Sequence, residues 1–157
     1  MEKQAPLRQL TADPGFLLSR VGAAARAGFR DVLAGWDIRP LQYLILLILS
    51  ARDGVSQQEL CTAAGVDSGN MVELVDGLEA LRYAQRSRDA RDRRRYVVTV
   101  TAAGRSALAG MHEAVEEYNR GFLSPLTGQE QRQLANMLGK LYVTTAQGQP
   151  GTPLPGP

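Results

Sequence analysis

Seven of the chain's 18 Lys and Arg residues fall within positions 82–95, against only two acids, Asp89 and Asp92. That segment carries net +5 in a chain whose net charge is +2, so the remainder sums to −3. Arginine presents a planar fork of donors that matches phosphate oxygens and base edges, which makes Arg86, Arg91, Arg93 and Arg94 candidates for contact with nucleic acid. The bland alternative is a solvated charge run. The elements that carry the segment weigh between the two.

Tyr96, Val97, Val98, Thr99, Val100 and Thr101 are β-branched or aromatic and predict a strand, while Leu81 and residues 83–86 can start its partner across a polar tip without Gly or Pro. The two make a β-hairpin with a long, arginine-loaded loop. Immediately upstream, Ser56 and Glu59 form a capping box that opens a short helix at 57, with Leu60, Cys61 and Ala64 inward. Gly65 suits a helix C-terminus, and Asp67 caps a further helix from 68 to about 82 whose inward face is Met71, Val72, Val75, Leu78 and Leu81. Two short helices joined by a tight turn are a helix-turn-helix. A basic hairpin in this position reads as a nucleic-acid contact.

Around this unit, residues 14–36 predict an amphipathic helix through Leu17, Val21, Ala24, Gly28 and Val32. Asp37 can cap a buried helix over 41–51, with Pro40 in its first turn. Thr101 caps a helix over 102–122 striped by Leu108, Met111, Val115, Tyr118 and Phe122, and Thr127 with Glu130 caps a last one carrying Leu134, Met137, Leu138, Leu141 and Tyr142. Three long apolar stripes exceed what one domain of this size needs. They predict a homodimer that pools the terminal helices and presents two helix-turn-helix units to one duplex. Residues 1–13 are expected to be flexible, and the Pro/Gly-rich residues 146–157 to be disordered.

Composition narrows the function classes. One cysteine, Cys61, excludes an internal disulfide and a multi-cysteine metal site. The sole histidine, His112, stands 51 positions from it, no Gly-rich phosphate loop is present, and Glu116 and Glu117 are adjacent and diverge on a helix. No catalytic machinery, cofactor or metal site is therefore expected. The apolar run 41–49 is too short to span a bilayer, and the first residues have no signal-peptide character, so the chain reads as cytoplasmic, with no membrane partner.

Taken in order, Pro40-Leu41-Gln42-Tyr43, Ser56-Gln57-Gln58-Glu59-Leu60, Gly65-Val66-Asp67, Leu74-Val75-Asp76-Gly77-Leu78-Glu79, Asp89-Ala90-Arg91-Asp92-Arg93-Arg94 and Val100-Thr101-Ala102-Ala103-Gly104-Arg105 resemble the multiple antibiotic resistance regulator (MarR) family of bacterial transcription factors. The resemblance implies a mainly α fold with a small β-hairpin wing, a winged helix-turn-helix with six helices. It covers one domain over 14–145, with dimerisation helices at about 14–36 and 102–145 and the winged helix-turn-helix at about 38–101. It further implies a homodimer on a pseudo-palindromic double-stranded operator, usually a repressor, often released by a small aromatic or phenolic effector. The recognition helix would meet the major groove with Ser68, Gly69, Asn70 and Met71. Arg94 would enter the minor groove, oriented by Asp92, and Arg86, Arg91 and Arg93 would contact phosphates or hold the wing's shape.

Two expectations are specific to this chain. Asp67, Glu73, Asp76 and Glu79 make the recognition helix acidic, which keeps alive an alternative: a winged-helix sensing or protein-interaction module with weak or lost DNA binding. By position in the family, Trp36, Tyr43, Leu47, Met111 and His112 are candidates to line an effector pocket. Tyr43, Leu47 and Met111 are equally spaced as ordinary core, and a lone His on a long helix is usually a surface or dimer-contact residue.

Overall fold

The computed structural model describes residues 12–52, 54–89 and 96–146, with the side chains of 145 and 146 excepted. Most of the two terminal segments expected to be loose, 1–13 and 146–157, lies outside that range. The described elements are α1 (Pro14–Ala34), α2 (Pro40–Ser50), α3 (Gln57–Ala64), α4 (Ser68–Ala80), β1 (Ala84–Arg88), β2 (Tyr96–Val100), α5 (Ala102–Phe122) and α6 (Gly128–Ala146).

Side-chain caps place most of these boundaries. The Phe16 N–H donates to Asp13 Oδ1 at 2.7 Å to open α1, and the Ser56/Glu59 box opens α3. Thr101 Oγ1 accepts from the Gly104 N–H at 2.9 Å at the head of α5, and the Thr127/Glu130 pair does the same for α6. Asp37, expected to cap α2, does not. It turns through a left-handed conformation (φ 57°) so that Ile38 can bury, and Arg39 becomes the N-cap residue. The orphan Arg39 N–H is then satisfied by Gln42 Oε1 at 2.9 Å.

The far end of α4 stops two residues earlier than the sequence suggests. The Tyr83 N–H reaches back to the Leu78 carbonyl and the Arg82 N–H to that of Glu79, the paired bonds of a Schellman turn, with Arg82 in the left-handed position at φ 60°. Residues 81–83 are thereby used to end the helix, and β1 begins at Ala84.

α2 is the centre of the fold. Its Ile45, Leu46 and Leu49 bury against Leu60 of α3, Met71, Val75 and Leu78 of α4, and Val98 of β2, each large side chain contributing about 1.5–3 kcal/mol of transfer free energy. The hairpin is antiparallel, pairing Ala84 with Val100 and Arg88 with Tyr96. Val55 adds a third, one-residue rung by exchanging both backbone hydrogen bonds with Val98. Cys61 is half-buried against this core and unbridged. α1 lies along α5 closely enough that a Cβ on Gly28 would sit 2.4 Å from the Tyr118 ring. α6 packs little against its own chain, and Met137, Leu138, Leu141 and Val143 are exposed along it, as are Phe16, Leu17, Leu18 and Val21 on α1.

Candidate nucleic-acid interface

The recognition helix α4 begins with a doubly held cap. Asp67 accepts from the Asn70 backbone N–H at 3.0 Å and from Asn70 Nδ2 at 2.6 Å, and these two bonds hold its carboxyl below the ordinary aspartate range. Asn70 is fixed by the second bond yet keeps one amide N–H and its carbonyl oxygen, the pair that adenine requires. Ser68, Gly69 and Asn70 are exposed around it.

Met71 does not belong with them. Its side chain is wholly buried (0% exposed) beneath α4, because it shares the stripe of Leu74, Val75 and Leu78, so it has no surface to offer a base. Val72, expected inward, is the residue that faces out, at 41% exposure, one turn beyond Ser68. The strict three-and-four spacing of 71, 74, 75 and 78 was the signal: Val72 sits one residue off it.

Two arginines offset part of the acidity of α4. Arg86 Nη1 in β1 binds Asp76 Oδ1 at 2.6 Å and also Glu79, whose other oxygen accepts the Arg86 backbone N–H. Arg39 Nη2 reaches Glu73 at 2.9 Å, and Asp67 is the cap. Arg86 therefore ties the wing to the recognition helix. Buried Gln42 adds a further tie, donating to the Leu74 carbonyl at 3.2 Å across a space that Gly77 leaves free. Beyond Arg86, the Arg88 guanidinium lies 4.9 Å over the Tyr96 ring, a cation–π contact that stiffens the outer hairpin. Arg91, Asp92, Arg93 and Arg94 lie outside the described residues.

A sequence model of the MarR family matches residues 36–95, from the turn before α2 to the wing. Over 134 residues the chain is 31% identical to a putative transcriptional regulatory protein for the hcr operon of Thauera aromatica, covering 85% of this chain and 81% of that one. The chain belongs to the MarR family. A structure of the repressor CouR on a 23-mer DNA duplex is similar at 30% identity and a TM-score of 0.72, covering 85% of this chain and 95% of that one. CouR from Rhodococcus jostii RHA1 with p-coumaroyl-CoA is similar at 27% identity and a TM-score of 0.70, covering 84% and 93%. MarR proteins are DNA-binding regulators, not enzymes, and this one has the six helices and hairpin wing of that fold.

The candidate effector-pocket residues of this MarR protein do not all meet. Met111 is wholly buried in the core, and His112 beside it points the other way, 62% exposed and 3.2 Å from Glu116. Leu47 is half-buried against the core, and the Trp36 ring covers Gly110. Tyr43 packs edge-on to Phe29 with ring centroids 5.7 Å apart; burial first, then the charge of Glu116, push its phenol above the ordinary range. Phe29 also borders a cleft of about 380 Å³ between α1 and α2, lined with it by Ala23, Arg26, Arg30 and Pro40. The two arginines, one helical turn apart, were not singled out from the sequence. Among the described residues no group of His, Cys, Asp and Glu could hold a metal ion, and no helix is long and apolar enough to cross a membrane.

Proposed function

We propose that the protein is a homodimeric repressor that binds a pseudo-palindromic operator and is released by a small aromatic carboxylate or its thioester. The observation that carries this reading is the pairing of three recognition-helix carboxylates, Glu73, Asp76 and Glu79, with Arg39 and Arg86, which reduces the repulsion an acidic helix would exert on phosphates. Ser68, Gly69, Asn70 and Val72 then face the major groove, with Asn70 reading adenine and Val72 touching a thymine methyl. Arg94, oriented by Asp92, enters the minor groove, while Arg91 and Arg93 contact phosphates. The domain spans 14–145: the helices at 14–36 and 102–145 join the two protomers, supported by the exposed apolar residues on α1 and α6, and 38–101 form the DNA-binding unit.

For the effector, support comes from the α1–α2 cleft, where Arg26 and Arg30 flank an aromatic wall, and from the likeness to CouR with p-coumaroyl-CoA. The competing reading, a module that has lost DNA binding, draws on the acidic helix, and the Arg39 and Arg86 pairs weigh against it by offsetting part of that charge. Arg94→Ala tests the proposal: operator binding should weaken by about 1–3 kcal/mol with the fold unchanged. Normal operator binding by that variant would remove Arg94 from the interface.

A further inference from the structure

The hairpin has two faces. Ala84, Arg86, Val98 and Val100 turn toward α4 and the core, and in the antiparallel register Ser87, Val97 and Thr99 occupy the opposite side. Against that outer side, the end of α2 and the first turn of α5 enclose a cleft of about 540 Å³ lined by Leu49, Arg52, Ser87, Val97, Thr99 and Arg105. Thr99 Oγ1 is buried there without a hydrogen-bond partner, the one side-chain atom so placed among the described residues. A buried hydroxyl left unpaired is costly, so it marks a place where a further acceptor or donor is missing.

The charges point the same way. Arg52 and Arg105 have no acidic partner among the described residues. The first turn of α5 holds no acid, so the Arg105 cation sits at the positive end of a helix. Asp89 at the rim is the opposing charge, and it is engaged in interactions of its own. Arg88 also borders the cleft, but its guanidinium is held over Tyr96 on the other face.

We propose that this cleft binds the oxyanion end of a small molecule, a phosphate or a carboxylate, between the Arg52 and Arg105 guanidiniums, with the Ser87 hydroxyl donating to it and that of Thr99 turning about its side-chain bond to do the same. Leu49 and Val97 supply an apolar wall for the body that carries the anion. The site is separate from the α1–α2 cleft and faces away from the recognition helix, so it does not require that the protein be on DNA. Because its groups come from α2, α5 and both strands, an anion held there ties the wing to the body of the domain.

The test is an NMR titration of the full-length protein at constant ionic strength with inorganic phosphate, inorganic pyrophosphate and benzoate in separate arms. Saturable shifts should appear at the Gly54, Ser87, Thr99 and Arg105 amides, and the tighter arm distinguishes phosphate from carboxylate chemistry. Arg52→Ala and Arg105→Ala, both at exposed positions, should each weaken binding about tenfold or more, and Thr99→Val about threefold or more. Shifts that never saturate in any arm, or a saturable response untouched by both arginine variants, would overturn the assignment. So would arginine variants that leave oxyanion binding intact and flatten only the salt dependence of DNA binding, since the patch would then serve the duplex backbone.

Discussion

Replacing Arg86 with alanine should weaken operator binding and leave the protein folded. The side chain is 27% exposed and its partners Asp76 and Glu79 are 58% and 33% exposed, so each ion pair is worth about 0.2–1 kcal/mol after screening, and the loss of both costs about 1 kcal/mol. On DNA, losing the one guanidinium shared by the two carboxylates makes the patch one unit more negative. At about 10 Å from a phosphate, with an effective dielectric constant between about 20 and 80, one unit costs about 0.4–1.7 kcal/mol, and screening at about 0.1 M salt selects the lower part of that range. The prediction is a roughly two- to fourfold rise in Kd. Fluorescence anisotropy with the operator measures it, and a second variant decides its cause. Arg86→Ala combined with Asp76→Asn and Glu79→Gln should recover binding to within about twofold, because the Gln carbonyl still accepts the backbone N–H at 86 and no charge is left to repel phosphate. Failure of that rescue in a folded protein would refute the neutralisation argument and make Arg86 a direct phosphate contact.

Other outcomes follow from single positions. A Cβ on Gly104 would lie 2.0 Å from the Tyr83 carbonyl oxygen, so Gly104→Ala should lower unfolding stability by about 2 kcal/mol or more in urea, and an unchanged midpoint would show that the contact can relax. Arg82→Gly relieves a left-handed residue at the end of α4 and should raise stability by about 0.5–1 kcal/mol; a lower midpoint would contradict the Schellman assignment. The Asn70 bonds depress the Asp67 carboxyl, so its NMR titration midpoint should fall below its ordinary 3.8. The stability it lends α4 is then present above that value and lost as pH falls through the folded midpoint, whereas a midpoint at or above 3.8 would mean the cap is not formed. Leu138→Glu with Leu141→Glu should convert a dimer into a monomer by sedimentation, and a persisting dimer would place the interface elsewhere.

Much of the architecture was readable because helix starts are written locally. Ser56 with Glu59, Asp67, Thr101, and Thr127 with Glu130 each carry their own capping hydrogen bonds within three residues. Asp37 misled because a capping-type residue also tolerates the left-handed turn, and burial of Ile38 decided between them. Met71 was placed inward by its spacing and toward the groove only by the resemblance, and the spacing was right; putting Val72 inward beside it was a one-position error in helical phase. The pairings of Arg86 with Asp76 and Glu79 were not legible, since they join a strand to a helix face whose relative placement depends on the whole core. The same holds for Val55, which alone carries no strand pattern, and for the outer cleft, whose lining comes from four separate elements.

Sequence-specific DNA recognition through a partly charge-compensated α4 and an arginine wing is tested most directly by anisotropy of the purified protein. The DNA upstream of its own coding region would be measured against scrambled duplex over a series of salt concentrations, alongside a selection from fragmented genomic DNA. The account predicts a site bound about a hundredfold or more tighter than scrambled duplex, with a salt slope that reports several phosphate contacts. Equal, weak binding to both duplexes, with no sequence enriched from the genomic pool, would contradict it.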